Sequence, residues 1–180
     1  MISMAYKIDF EQAKSFWKKK NSKICDDPRV ILDSAERILS SFPSCVIATA
    51  GESFVDATPV HYIFHNGYVY IYSEGGDKFV NLETNRKVCI SVYDHAGDFG
   101  NLKSVQVYGE VEFPEIMGEE YLEVSKHARY PIKEEYFQKL CDAGEPMYLL
   151  KVIPDRIKVL DSELKSLGYA NNQEVILTRS

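Results

Sequence analysis

The spacing of apolar positions changes twice along the chain, and the changes mark its organisation. From Asp9 the period is helical: Phe10, Ala13 and Trp17 recur on one side, with Asp9 and Gln12 placed as a capping box. Asp27-Pro28 marks a second helix start, a cap residue followed by proline at the first helical position. Val30, Ile31, Ser34, Ala35, Ile38 and Leu39 then form one face, and Phe42-Pro43 ends the helix. Lone Trp17 reads as a core or interface residue before it reads as a stacking platform for a ligand.

After Pro43 the text turns extended. Cys45 to Ala50 and Phe54 to Phe64 read as strands, and His65-Asn66-Gly67 is the strongest hairpin signal in the chain, with Tyr68 to Ser73 as the returning partner. Pro59 cannot donate to a ladder, which places its strand at an edge or a bulge. A short helix is expected from Lys78 to Asn85 with Phe79 and Leu82 inward, then strands from Lys87 to Asp94 and Ser104 to Phe113 around a loop containing Gly97, Phe99 and Gly100. From Pro114 the spacing is helical again, through Ile116, Tyr121, Leu122, Val124, Tyr136, Phe137 and Leu140. Gly144-Glu145-Pro146 breaks it, Met147 to Ile153 and Arg156 to Leu160 read as a closing pair of strands, and periodicity is lost from Ser166 onward. Short antiparallel strands with helices at the ends and one in a crossover predict an α+β barrel.

Composition adds exclusions. At 180 residues, 45% hydrophobic and 27% charged, the chain is expected to be a single globular domain: helices over 1–43, barrel over 44–160, tail over 161–180. A net charge of −6 argues against a nucleic-acid partner held through phosphates, and the short run Lys18-Lys19-Lys20 reads as the solvated end of a helix. Cys25, Cys45, Cys89 and Cys141 lie far apart without a C-x-x-C pair, so they read as reduced packing residues. No leader pattern and no apolar run of membrane-span length is visible, so a cytoplasmic protein without a membrane partner is expected.

The chemistry concentrates between Cys45 and Asp94. A Gly75-Gly76 turn at the end of a strand, followed by Lys78 and the first turn of a helix, is suited to a phosphate: helix-start N–H groups lack partners, the dipole is positive there, and Lys78 adds a charge.

These pieces resemble a known family. Thr58-Pro59-Val60, the strand Tyr68-Val69-Tyr70-Ile71-Tyr72, the turn Ser73-Glu74-Gly75-Gly76-Asp77-Lys78, Asn81-Leu82 with Asn85, and Val105-Gln106-Val107-Tyr108-Gly109 follow in the order found in pyridoxamine 5′-phosphate oxidase-like split barrels. The resemblance implies an antiparallel Greek-key split β-barrel with flanking helices. It also implies a homodimer that holds FMN at the subunit interface and works as an oxidoreductase. The isoalloxazine would lie against the strand Asp56, Ala57, Thr58, Pro59, Val60, His61. The phosphate would sit near Tyr72, Ser73, Lys78 and Asn81, with Ser104 close to the flavin and Phe99 covering it from the partner subunit. The sequence departs from the oxidases at Asp56 and Asp77, where they carry Arg, at His61, where they carry Lys, and at Ser104, where they carry Gln. Their Trp- and Arg-rich end segment has no counterpart in Leu167 to Gln173, so vitamin B6 oxidase activity is not expected.

Each candidate also has a plainer reading. Lys78 can be an ordinary exposed lysine, and His61 a strand histidine facing solvent rather than an acid, base or flavin contact. Tyr72 can be one more aromatic of a tyrosine-rich sheet, and Asn81 a local cap. His95 and Asp98 lack a third ligand at metal-site spacing, and no metal is expected. The catalytic residues stay unassigned: in a flavoenzyme of unknown substrate, with a small molecule or nicotinamide donor as partner, the cofactor carries the hydride. The alternatives are a flavin- or haem-binding protein without turnover and a nitroimidazole-reductase-like member of the same fold.

Overall fold

The computed structural model describes residues 8–20, 23–95, 98 and 100–178. Two helices lead. α1 (Phe10–Lys20) starts where the Asp9 carboxylate accepts the Gln12 N–H at 2.9 Å. α2 (Pro28–Ser41) is capped by the Asp27 carboxylate, which accepts the Arg29 N–H. α2 buries Ile31, Ser34, Ala35, Ile38 and Leu39, the i, i+3, i+4, i+7, i+8 stripe of a core-facing helix, and Phe42 returns to extended backbone before Pro43.

The sheet follows as β1 (Ser44–Ala50), β2 (Val55–His61), β3 (Ile63–His65), β4 (Tyr68–Ser73), the crossover helix α3 (Asp77–Thr84), β5 (Lys87–Tyr93) and β6 (Lys103–Glu112). Helices α4 (Glu119–Ser125) and α5 (Glu134–Asp142) lead to β7 (Tyr148–Asp161), a 3-10 turn (Ser162–Leu167) and β8 (Asn172–Ile176). The pairing order is β2-β1-β5-β6-β7-β4-β3, with β8 added on β7. β2 and β3 are one stretch of chain broken at Tyr62, so the same stretch carries both ends of that order and the sheet curls into a split barrel. Asn66 (φ 50°) and Gly67 (φ 80°) make the tight β3–β4 turn that Asn-Gly predicts. Pro59 lies, as expected, on a strand paired on one side only, to β1.

Four expectations change. Phe54 to Phe64 is not one strand but β2 and β3, because the Tyr62 side chain turns inward and its hydroxyl donates to the Leu39 carbonyl at 2.6 Å. The helix expected from Pro114 begins only at Glu119. The closing pair of strands is one strand of 14 residues, β7. Its Pro154 does not end it, because the β6–β7 ladder shifts register between Tyr108 and Gly109 and absorbs the missing donor in a bulge. The segment expected as an aperiodic tail contains β8, which pairs with β7 from Arg156 to Leu160.

The barrel core gathers Ile47, Ile71, Ile90, Val105, Leu150 and Val159 beneath α2. A second cluster, with Tyr70, Tyr121, Val124, Phe137 and Leu149, seats α4 and α5 on the other side of β4 and β7. No described side chain of α1 belongs to either cluster. No helix among the described residues is long and apolar enough to cross a membrane.

One buried carboxylate ties α2 to the end of β7. Asp161 is fully buried, accepts the Ser34 hydroxyl at 2.6 Å and the Glu163 N–H at 2.9 Å, and pairs with Arg37. Burial opposes its charge, but the hydrogen bonds from Ser34 and Glu163 and the Arg37 guanidinium outweigh it and hold its pKa below the usual 3.8. A depressed carboxyl pKa contributes stability above the unfolded value and loses it as pH falls through the folded one. Asp161→Asn is therefore expected to cost about 1.5–3 kcal/mol at pH 7, with the gap to wild type closing below pH 3.8. Urea denaturation across pH checks this. Gly109→Ala is expected to cost about 3 kcal/mol by overpacking in the same assay, since a Cβ there would stand 2.1 Å from the Ile153 carbonyl oxygen.

Candidate functional site

Strand β4 delivers the chain into the Ser73–Lys78 turn at one end of the barrel. Gly75 (φ 142°) and Gly76 (φ 101°) take backbone conformations that favour glycine, which lets the turn close directly onto α3. The Ser73 hydroxyl donates to the Gly75 carbonyl and accepts the Gly75 N–H, so its atoms are spent on the shape of the turn.

Lys78 is not the exposed lysine of its plainer reading. It is 6% exposed, and its ammonium donates to the Gly75 carbonyl and lies 5.6 Å from the Phe79 ring centroid. Among the described residues it has no carboxylate partner. A buried cation without an opposite charge is costly unless an anion arrives. At the start of an eight-residue helix capped by a glycine with no side-chain acceptor, the arrangement fits a phosphate.

One turn further along α3, Asn81 is 1% exposed and donates to the Thr49 hydroxyl at 3.1 Å. Its carboxamide oxygen stands 2.4 Å from where a Cβ on Gly51 would be, so glycine at 51 lets α3 sit down on the β1–β2 turn. The Asn85 side chain donates to the Ala50 carbonyl at 2.8 Å. These amides hold the helix to the barrel rather than reaching for a ligand. Thr49, which the sequence reading missed, is 2% exposed and lies opposite Asp56 in the β1–β2 register. A threonine in strand text carries no signal of such a role.

Along β2, Asp56, Thr58 and Val60 are half-buried while Ala57, Pro59 and His61 are exposed. The Thr58 hydroxyl donates to the Asp56 carboxylate at 2.5 Å. Val60 is half-buried and packs on the barrel core. His61 sits at the opposite end of β2 from Asp56, its Nδ1 donating to the Pro43 carbonyl at 3.2 Å with the Ser44 hydroxyl at 3.3 Å. Ser104 pairs with Tyr93 on β5 and lies at that same far end, on the outer face. Tyr72 points away from the turn into the second cluster, donates to the Tyr121 carbonyl and stacks on Phe137 with centroids 5.0 Å apart. Burial pushes its phenol pKa up, leaving a hydroxyl committed to packing. Phe99 lies outside the described residues. Within one chain, then, Ser73, Lys78, Asn81 and Asp56 gather at the α3 end, His61 and Ser104 lie at the other, and Tyr72 belongs to a different layer.

The family model for pyridoxamine 5′-phosphate oxidase matches residues 31–157, from α2 through the middle of β7 and so more than half of the chain. The chain belongs to the pyridoxamine 5′-phosphate oxidase family. Among solved structures, a FAD-binding protein from Mesorhizobium loti is 22% identical with a TM-score of 0.51, over 68% of this chain and 87% of that one. A heme-binding protein from Mycobacterium smegmatis is 18% identical with a TM-score of 0.60, over 79% of this chain and 56% of that one. A putative 5-nitroimidazole antibiotic resistance protein from Bacteroides thetaiotaomicron is 21% identical with a TM-score of 0.56, over 74% of this chain and 83% of that one. At these identities the likeness is one of fold. No curated protein sequence matches the chain.

With no carboxylate partner among the described residues, the ligand-free protein gains no ion pair from the charge at Lys78. Lys78→Met is expected to leave ligand-free stability unchanged or raise it by up to about 2 kcal/mol. A clear loss in urea denaturation would instead make Lys78 a structural tie to the Gly75 carbonyl.

Proposed function

We propose that the protein is an FMN-dependent oxidoreductase that works as a homodimer. The observation that carries this reading is Lys78, a buried ammonium with no carboxylate partner among the described residues, at the junction of a Gly-Gly turn and a helix, where the resemblance to the oxidases would put a flavin phosphate. The fit is incomplete in charge. Asp56 and Asp77 stand where the family's oxidases carry Arg, so Lys78 is the principal cation for the group.

A second copy is supported by the outer face of the β2-β1-β5-β6 region. There Val46 and Ala48 of β1, Pro59 of β2 and Cys89 and Ser91 of β5 stand side by side in register, on the side opposite the buried Cys45, Ile47, Val88 and Ile90. A small barrel cannot enclose an isoalloxazine alone, and this face also carries Ser104 from its far end.

In this arrangement the bound flavin supplies hydride transfer, exchanging with a small-molecule substrate or a reduced nicotinamide. The residues of the chain do the rest. Lys78 and the N–H groups opening α3 would hold the phosphate, Asn81 and Asn85 would fix α3 against β1, and the exposed side of β2 at Ala57 and Pro59 would lie against the ring. His61 keeps Nδ1–H on the Pro43 carbonyl, which leaves Nε2 free to accept a proton from a substrate or from solvent. Oxidation of pyridoxamine phosphate is not part of the proposal, because the end segment serves the fold. Gln173 accepts the Cys25 N–H at 2.9 Å and donates to the Lys23 and Ala170 carbonyls at 3.0 and 2.8 Å.

FMN and riboflavin titrations followed by flavin fluorescence test this reading. Lys78→Ala is expected to weaken FMN roughly tenfold to a hundredfold, the worth of a charge-assisted contact of about 1.5–3 kcal/mol, and to leave riboflavin nearly unchanged. Equal FMN affinity in both proteins places the phosphate elsewhere. A purified protein with a Soret band in place of flavin absorbance near about 450 nm favours the haem-binding alternative.

A further inference from the structure

The flavin reading leaves the outward side chains of β7 and β8 unused, and positive charge gathers there. Strand alternation sends Val105, Val107, Ile157, Val159 and Val175 into the barrel core and turns Gln106, Tyr108, Arg156, Lys158 and Glu174 to the other side. The register sets these side by side. Tyr108 lies opposite Arg156, and Gln106 lies opposite Lys158, which has Glu174 across from it on β8.

Arg156 and Lys158 converge on one ring. The guanidinium carbon of Arg156 lies 3.9 Å from the Tyr108 ring centroid, and the Lys158 ammonium lies 5.7 Å from it. Stacking fixes the plane of the guanidinium and leaves its N–H groups to acceptors at its edge. Lys158 has a carboxylate partner, Glu174 at 3.4 Å, in a half-exposed pair of the kind that contributes little. Arg156 has no ion pair among the described residues. The Tyr108 hydroxyl donates to the Gln106 carboxamide oxygen at 3.3 Å, so the amide nitrogen of Gln106 remains a donor on this face. The positive field reaches Cys89, opposite Tyr108 on β5. Burial raises the Cys89 thiol pKa, and the Tyr108 hydroxyl, Arg156 and Lys158 act against that rise. Two like charges over one ring repel each other, and an anion between them removes that cost. The chain as a whole has a net charge of −6, so this pair runs against its overall sign.

We propose that Arg156, Lys158 and Gln106 form a binding site for the carboxylate or phosphate group of a small molecule, with Tyr108 as the platform that fixes the Arg156 fork. Both groups present the same chemistry, a compact oxyanion that takes two parallel N–H bonds from a guanidinium and a further bond from an ammonium. Glu174 is the carboxylate the ligand would displace from Lys158. The site uses none of the residues assigned to a flavin phosphate, so the proposal stands whether or not a flavin binds.

Nuclear magnetic resonance of the full-length protein, labelled with nitrogen-15 at the arginine Nε, tests it. The Arg156 signal is the one lost in Arg156→Gln, and it is followed during titration with malonate and with inorganic phosphate. The expected result is a saturable shift of that signal, weakened about tenfold in Lys158→Gln and weakened also in Tyr108→Leu, which keeps an apolar side chain but removes the platform. The tighter of the two probes names the group. The signal is local to residue 156, so phosphate held at Lys78 leaves it unmoved, and a failure here is separate from a failure of the flavin reading. A shift that does not saturate, or that sodium chloride at equal ionic strength reproduces, means an adventitious ion only and overturns the proposal. So does a signal indifferent to both probes. If Arg156→Glu then dissociates a dimer in sedimentation, the face belongs to an acidic surface of a second copy instead.

Discussion

Everything in this fold hangs on β7 being able to pair with β6 from Lys151 to Asp161 while changing neighbours on its other edge. From Tyr148 to Val152 that other edge holds β4; from Arg156 to Leu160 it holds β8. The strand must therefore bend between Val152 and Arg156, and Pro154 supplies a residue with no donor to lose. The bend pushes the Ile153 carbonyl toward β6, so that residue 109 has no room for even a Cβ. Gly109 is the condition for the split: on one side of it the sheet closes a barrel through β4 and β3, and on the other it carries β8 beneath α2.

The site inherits its position from that geometry. Because β4 is locked onto β7 from Val69 to Ser73, the Gly75-Gly76 turn leaves the sheet at a fixed point and α3 must cross the barrel end to reach β5. Two buried amides, from Asn81 and Asn85, then decide how deep the helix sits. Lys78 is buried as a consequence, on the same face of α3 and one turn before Asn81. A side chain that would be solvated on most helix starts is held in a place where, among the described residues, no carboxylate pairs with it.

Much of this was legible in the sequence where the signal is local. The caps at Asp9 and Asp27, the Asn-Gly turn, the edge position of Pro59 and the extent of β4 each depend on a few adjacent residues, and the structure has them as read. What was not legible depends on partners distant in sequence. Pro154 reads as a break unless one knows that a glycine 45 positions earlier lets the ladder slip past it. Asn172 to Ile176 alternates too briefly to stand out, and it is a strand because β7 offers an edge. Tyr72 sits in a motif whose likeness suggests a ligand contact, yet Tyr121 and Phe137, from helices outside that motif, claim its side chain. Lys78 was legible as a residue of interest, but not as a buried one.

The electrostatics of the α3 end carry the remaining functional content. A site for a phosphate monoester usually gathers several cations; here one buried ammonium faces a neighbourhood in which Asp56, Glu74 and Asp77 are all acidic. Such a site would hold a dianion weakly and would respond strongly to ionic strength, since exposed carboxylates are screened by salt while a buried ammonium is screened much less. On the proposed flavin reading, the anchoring charge is reduced to one residue. On that reading, a bound ligand would have to lean on apolar and backbone contacts along β2 and on the surface of the proposed second subunit.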